Sequence, residues 1–342
     1  MANLLVNRYV RDLAWILTSS QMMQVANPVD RQSTDANGHR GINNPLKMWL
    51  AELDRNPQLI ENHLADKNLR MLGPYFEALW QFYLCHFPGK QLLAKNLQVF
   101  DDNTTLGEFD FIYFNQADSQ YRHLEVAVKY YLGIPSQEIS QAKQSFAADI
   151  KGTLPSGSLQ SCWIGPGSRD RLDKKYCKII QHQANLSNTP AGREAIQSLA
   201  VGDRSISRVE TEICLLGYLF YPFNTTLKPP QMVDPEHSRG QWLKLSQLEL
   251  FLQSESLWLI LAKPHWLAPI LASSAELLSN RELSTLLQQR IESQQRPILL
   301  ARFEQVASGI GLLNNNTQIE SQELVFVVPE DWPRRNNPHN PG

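Results

Sequence analysis

Four carboxylates and one lysine stand in an order that could handle a metal ion and a phosphate. They are Glu77, then Glu108 and Asp110 within Gly107-Glu108-Phe109-Asp110, then Glu125 and Lys129 within Glu125-Val126-Ala127-Val128-Lys129. The two later stretches read as strands, in which successive side chains point to opposite faces. Glu108 and Asp110 then share one face, and Glu125, Ala127 and Lys129 share one face. Phe109, Phe111, Val126, Val128 and Tyr130 take the opposite, apolar face. Carboxylates on paired strands suit a hard cation such as Mg²⁺ (or Mn²⁺), which activates water and steadies a charged phosphate. A nearby lysine adds positive charge where negative charge develops. Those are the needs of phosphodiester cleavage. An antiparallel strand with one solvated face would also carry Glu and Lys there, so spacing alone leaves both readings open.

Other chemistries lack their residues. There is no GxxxxGK[ST] loop, and Gly309-Ile310-Gly311 does not continue into GxGxxG. Neither GxSxG nor HExxH occurs. The eight histidines are scattered, and His123, two residues before Glu125, reads as a packed or solvent-facing strand residue. Cys85, Cys162, Cys177 and Cys214 form no CxxC pair, so neither a disulfide framework nor a zinc site is expected.

The elements that must position these residues follow from local pattern. Val6, Val10, Leu13 and Leu17 make one helical stripe, and residues 1–72 read as a helical region with a long loop at 27–44. Further helix is expected over Pro45–Asp54 and Leu59–Leu64. Gly73-Pro74 opens a helix that carries Glu77, with Leu72, Phe76, Leu79 and Tyr83 on one stripe and Pro88-Gly89 closing it. Gln91–Phe100, Phe109–Phe114 and Arg122–Leu132, separated by turn formers, suggest an antiparallel meander. A helix from about Gln137 to Asp149 follows, then a strand over Leu159–Ile164 and a helix capped by Ser168 or Asp170. Later strands are expected at Glu212–Tyr221, Trp258–Ala262, Pro297–Phe303 and Glu323–Val328, with helix within Ser274–Ser293. This order predicts an α/β (α+β) fold, divided into residues 1–72, a core at 73–204, a C-terminal α/β region at 205–332 and a disordered tail at 333–342.

Composition bounds the partners. In 342 residues, 42% hydrophobic and 9% aromatic content is enough to fill a core, which excludes wholesale disorder. No apolar run approaches the roughly eighteen residues of a membrane span, and the expectation is a cytoplasmic protein without membrane contact. A net charge of −2 excludes coating of nucleic acid by bulk electrostatics. Any such contact needs a local patch, and Arg169, Arg171, Lys174 and Lys175 supply one directly after Gly165-Pro166-Gly167-Ser168. A solvated helix face with internal ion pairs is the competing reading of those charges.

The order Glu77, Gly107-Glu108-x-Asp110, Glu125-x-x-x-Lys129, followed by a helix, resembles the PD-(D/E)XK nuclease-like superfamily over about residues 73–180. In its RecB-like branch a helical Glu precedes a GxxD strand, a (D/E)xK strand and a helix bearing Gln. Gln141 and Gln144 fall on the helix that would match. More narrowly, the chain resembles a bacterial family, the domain of unknown function 1853. That likeness rests on RDLAWIL at 11–17, GEFDFI at 107–112, HLEVAVKYYL at 123–132 and GPGSRDRLDKK at 165–175, and it spans nearly the whole chain.

The superfamily likeness implies a nuclease-like core with a mixed central sheet flanked by helices. It implies a Mg²⁺- or Mn²⁺-dependent endo- or exonuclease acting on nucleic acid, with DNA ranked ahead of RNA. Asp110 and Glu125 would be the metal ligands, Lys129 the cation, Glu77 and Glu108 supporting carboxylates, and Gln141 and Gln144 supporting amides. One departure stands out. The pattern puts the acidic residue two positions before the lysine, where this chain has Ala127. Glu125 is two residues further back, roughly 6.6 Å along a strand. Either the strand bends to bring Glu125 into the cluster, or Lys129 is not its partner, or the site is silent. In the last case the fold serves as a nucleic-acid-binding or protein-adaptor module.

Overall fold

Asn7 starts the first helix, and its side chain explains why the apolar stripe does not begin at Val6. Asn7 Oδ1 accepts the backbone N–H groups of Tyr9 and Val10, so helix α1 runs Arg8–Thr18. Val10, Leu13 and Leu17 are buried, whereas Val6 precedes the cap and is 67% exposed. The computed structural model describes residues 5–29, 33–34, 40–41, 44–65, 69–135, 158–199, 206–304 and 318–333. The chain forms a mixed α/β architecture with a large mixed sheet. Among the described residues no helix is long and apolar enough to cross a membrane. The predicted helix at 137–149, which holds Gln141 and Gln144, lies outside the described residues, as does most of the tail from 334 onward.

The residues cluster into two compact units that interleave along the chain. The first comprises Met1–Val128 and Lys175–Leu216, the second Lys129–Lys174 and Gly217–Gly342. Blocks 73–204 and 205–332 of the sequence each contribute to both.

In the first unit, α2 (Asn44–Arg55) and α3 (Gln58–Ala65) precede α4 (Leu72–His86), the helix of Glu77. Leu72, Phe76, Leu79 and Tyr83 are buried as the stripe predicts, and so are Tyr75, Trp80, Phe82 and Leu84. Burial on most sides follows from α4 having α1 on one side and a strand on another. The buried Asp12 of α1 accepts the Tyr75 hydroxyl at 2.7 Å, pinning the two helices. Strands β1 (Lys90–Asp101), β2 (Thr104–Asn115) and β3 (Gln120–Gly133) form the antiparallel meander, each longer than its predicted apolar run. Asp102, with φ of 50°, makes the tight first turn with Asn103.

The chain returns to this unit within α5 (Leu172–Cys177), which passes into a π-helical turn at Lys178–His182 and a 3₁₀ segment at Gln183–Asn188. Helix α6 (Pro190–Gln197) follows, with Pro190 in its first turn and Thr189 Oγ1 accepting the Gly192 N–H. Val99, Phe109, Ile112, Leu186, Ile196 and Ile206 form one buried cluster. The last strand of the unit is the first part of β4 (Glu210–Pro222).

In the second unit the order runs from the ends of β3 and β4 through β5 (Ser238–Lys244) to three more strands. These are β6 (Leu257–Ile260), β7 (Ile298–Phe303) and β8 (Glu323–Val328). β4 and β5 are parallel, as are β5 and β8; β7 is antiparallel to β8 and to β6. Helix α7 (Asn280–Gln294) starts with a Ser279–Glu282 capping box and buries Leu283, Leu287 and Ile291 against Trp258, Leu300, Val325 and Val327. Strand β5 has no sequence precursor, because Arg239, Gly240 and Gln241 interrupt any apolar run. Only Trp163 and Ile164 of the expected strand at 159–164 are extended; a 3₁₀ turn at Gln160–Cys162 precedes them.

Gly217 in β4 carries a tight constraint in this unit. Its φ is +131°, and an added Cβ would overlap the carbonyl oxygen of Lys129. We expect Gly217→Ala to destabilise the protein by about 3 kcal/mol or more, since both backbone strain and overlap must be relieved. Denaturant titration measures this. A loss under about 1 kcal/mol would show that the strand shifts freely at that point.

Candidate carboxylate site

The pairing of β2 with β3 stops where the carboxylates lie. The register runs from Asn115↔Gln120 to Phe111↔Leu124. One step further along, Asp110 and Glu125 would face each other. There the ladder is replaced by side chains: Asp110 Oδ2 accepts the Val126 N–H at 2.9 Å. Phe109 and Ile112, on opposite faces by alternation, are both buried, so apolar side chains occupy both faces of β2 around Asp110.

Glu125 is 2% exposed and is held at both carboxylate oxygens. Asp110 is close enough to influence its proton affinity. His123 Nε2 lies 2.9 Å from Oε1, and the Gln183 amide donates to Oε2 at 2.7 Å. Burial pushes the Glu125 carboxyl up to about 7, against the opposing field of Lys175. Asp110 rises to about 7 as well, by burial first and by the Glu125 charge second. His123 is fully enclosed, and burial lowers it to about 4, so the ring is neutral near pH 7.

Two further carboxylates complete the cluster. Glu77 on α4 is raised chiefly by burial and then by Asp110, with Lys95 opposing. Glu108 stays solvent-exposed, and its charge acts on Glu77 and Glu125. The cation whose field reaches Glu77, Asp110 and Glu125 is Lys175. Its Nζ lies 3.5 Å from Gln183 Oε1, so one amide touches both the lysine and Glu125. The passage from α5 through the π turn into the 3₁₀ segment sets that spacing; such turns recur at functional sites.

Lys129 makes an ion pair of its own. It belongs to the second unit, where its Nζ donates to Asp170 Oδ2 at 2.6 Å. This also explains why neither Ser168 nor Asp170 caps the helix. The Asp170 side chain is taken by Lys129, its carbonyl accepts the Gly165 N–H, and Arg171 bridges to Ile164, so α5 begins only at Leu172. Arg171 makes a two-bond contact with Asp173 at 2.9 and 2.6 Å, as the ion-pair reading of the basic segment anticipates. Arg169 and Lys174 are exposed, and Lys175 is half-buried.

Sequence reasoning missed His123 and Gln183 as holders of Glu125. His123 was visible as a neighbour at i−2, the same strand face. Gln183 carries no local signal, being 58 residues from its partner. Among the described residues no group of three or more His, Cys, Asp and Glu side chains is arranged to hold a metal ion. Asp110 and Glu125 offer a two-carboxylate donor set of hard oxygens, and an oxygen that accepts one N–H keeps a second lone pair. That set fits Mg²⁺, which takes one or two carboxylates and fills its shell with water and phosphate oxygens.

The raised carboxyls make a signed prediction. Folded Asp110 and Glu125 bind protons more tightly than in the unfolded chain, where they titrate near 3.8 and 4.5. Their contribution to stability is therefore full below about pH 4 and is lost as pH rises through about 7. Asp110→Asn keeps an oxygen for the Val126 N–H and removes the charge. With chelator present, it should exceed wild type in stability at pH 8 by on the order of 1–3 kcal/mol, the gap closing at pH 4. Denaturant titrations at both pH values check it; a variant less stable at pH 8 contradicts the pairing.

The model of a family described as Domain of unknown function (DUF1853) matches residues 11–328. No curated protein and no solved structure matches the chain.

Proposed function

We propose a function for this chain from the premise that it belongs to the DUF1853 family: a divalent-metal-dependent nuclease that hydrolyses phosphodiester bonds. The observation that carries the reading is the pair of the half-buried Asp110 and the buried Glu125, placed at the end of a ladder and facing the field of Lys175. Within this reading the core resembles the PD-(D/E)XK nucleases, with α4 followed by the meander β1–β3. Mg²⁺ or Mn²⁺ is the cation, and nucleic acid is the substrate, DNA ahead of RNA.

Each group has a task that its surroundings support. Asp110 and Glu125 would hold the metal through carboxylate oxygens. When bound, the metal supplies Lewis acidity that helps ionise water and steadies charge on the phosphate. His123 and Gln183 fix the Glu125 rotamer, so no reorganisation is needed when substrate arrives. Lys175 takes the role first expected of Lys129 and offers its charge to the phosphate oxygens. Glu77 and Glu108 support the negative field that keeps a cation in place. Arg169 and Lys174, both exposed, are the cations proposed to contact the nucleic-acid backbone.

The test is cleavage of single- and double-stranded DNA and RNA with Mg²⁺ or Mn²⁺. Asp110→Asn and Glu125→Gln should each lower the rate at least about 100-fold, and Lys175→Ala about 100- to 1000-fold. Loss in Lys129→Ala with Lys175→Ala unaffected would return the cationic role to Lys129. If wild type binds nucleic acid, or only other proteins, and cuts no form with either metal, the binding or adaptor role replaces the nuclease.

A further inference from the structure

One of the groups that hold Glu125 continues into a line of hydroxyls. His123 Nε2 faces Glu125 Oε1 at 2.9 Å. Across the ring, His123 Nδ1 lies 3.5 Å from Thr211 Oγ1, at the long end of hydrogen-bonding range. Thr211 Oγ1 lies 3.1 Å from Ser187 Oγ. The ring has no solvent exposure and packs edge-on against Phe109, with centroids 4.6 Å apart. Bulk water therefore cannot stand in for either partner, and each ring nitrogen depends on the protein. Ser187 and Thr211 also line a cavity of about 650 Å³.

Counting hydrogens gives the line a direction. In the metal-binding state Glu125 is ionised and can only accept, so Nε2 then carries the ring proton. The neutral ring then presents a bare Nδ1, which must accept, and the Thr211 hydroxyl is the group there that can donate. With its hydrogen committed to Nδ1, Thr211 accepts from Ser187.

We propose that Ser187, Thr211 and His123 form a one-way hydrogen-bond chain that fixes the His123 tautomer and, through it, the orientation of Glu125. His123 and Thr211 are positioning residues, acting on a carboxylate whose metal-binding role is the reading given above. Groups that orient metal-ligating side chains in this way typically control affinity 10- to 100-fold.

The experiment uses the full chain and Mn²⁺ alone as probe, with calorimetric titration for affinity and nitrogen NMR of labelled histidine for the tautomer. Thr211→Val keeps the shape and removes the donor. It should weaken Mn²⁺ binding about 10- to 100-fold and move the His123 Nδ1 resonance, while Thr211→Ser restores both. Should Thr211→Val not fold, Ser187→Ala replaces it, with a smaller loss in the same direction. A wild-type His123 protonated on Nδ1 overturns the proposal. So does a folded Thr211→Val with unchanged resonances and unchanged Mn²⁺ affinity. Wild type that binds Mn²⁺ yet cuts no nucleic acid overturns the nuclease reading and leaves the chain supported. If wild type binds no Mn²⁺, the metal reading falls, and the tautomer in Thr211→Val alone upholds or overturns the chain.

Discussion

Two neighbouring carboxylates, the half-buried Asp110 and the buried Glu125, set the terms for the architecture around them. Removing such groups from water is unfavourable unless donors replace the lost hydration. The donors come from several elements: the Val126 backbone N–H, the His123 ring and the Gln183 amide. Supplying the first requires the β2–β3 ladder to end at Phe111↔Leu124, which frees a backbone group for a side chain. Supplying the third requires the chain to return to this unit and present Gln183. The break in the strand pairing and the irregular helix are two consequences of the same buried charge.

Electrostatic compensation follows the same logic. Burial first and neighbouring carboxylate charges second raise the proton affinity of Glu77, Asp110 and Glu125, and Lys175 opposes that on all three. A lysine can do this from a helix more readily than from the strand that carries Glu125. Residues four apart on a strand are separated by roughly 13 Å, beyond the reach of a strong contact. The π turn at Lys178–His182 changes the angular spacing between Lys175 and Gln183, so both can turn toward Glu125. The acidic residues of the basic segment are occupied elsewhere, Asp170 by Lys129 and Asp173 by Arg171.

A fully hydrogen-bonded buried network is also rigid. Glu125 is fixed on both oxygens, and His123 is fixed on both ring nitrogens. The polar cluster is enclosed by an apolar one: Phe109 contacts the His123 ring and shares its core with Ile112, Leu186 and Ile196. A substitution in that core would reach the carboxylates through His123. Packing and site geometry are thus coupled in the first unit.

Features decided by near neighbours along the chain could be read directly from the sequence. The meander over Lys90–Gly133, the helix bearing Glu77, the helix within Ser274–Ser293 and the strand Glu323–Val328 all depend on patterns within a few residues. The order of the acidic residues was equally plain, and so was the mismatch at Ala127. Tertiary structure alone decided which groups complete the cluster. Gln183 lies 58 residues from Glu125, Thr211 lies 88 from His123, and Lys129 finds its partner 41 residues away in Asp170. It also decided the parallel pairing of β5 and the interleaving of the two units. The reason is physical: a local pattern states which face of an element is apolar, whereas the partner of a buried polar group depends on where a distant segment returns. Ion pairs and amide bonds form between whichever complementary groups the packed chain brings within about 3 Å, and sequence separation carries no weight in that choice.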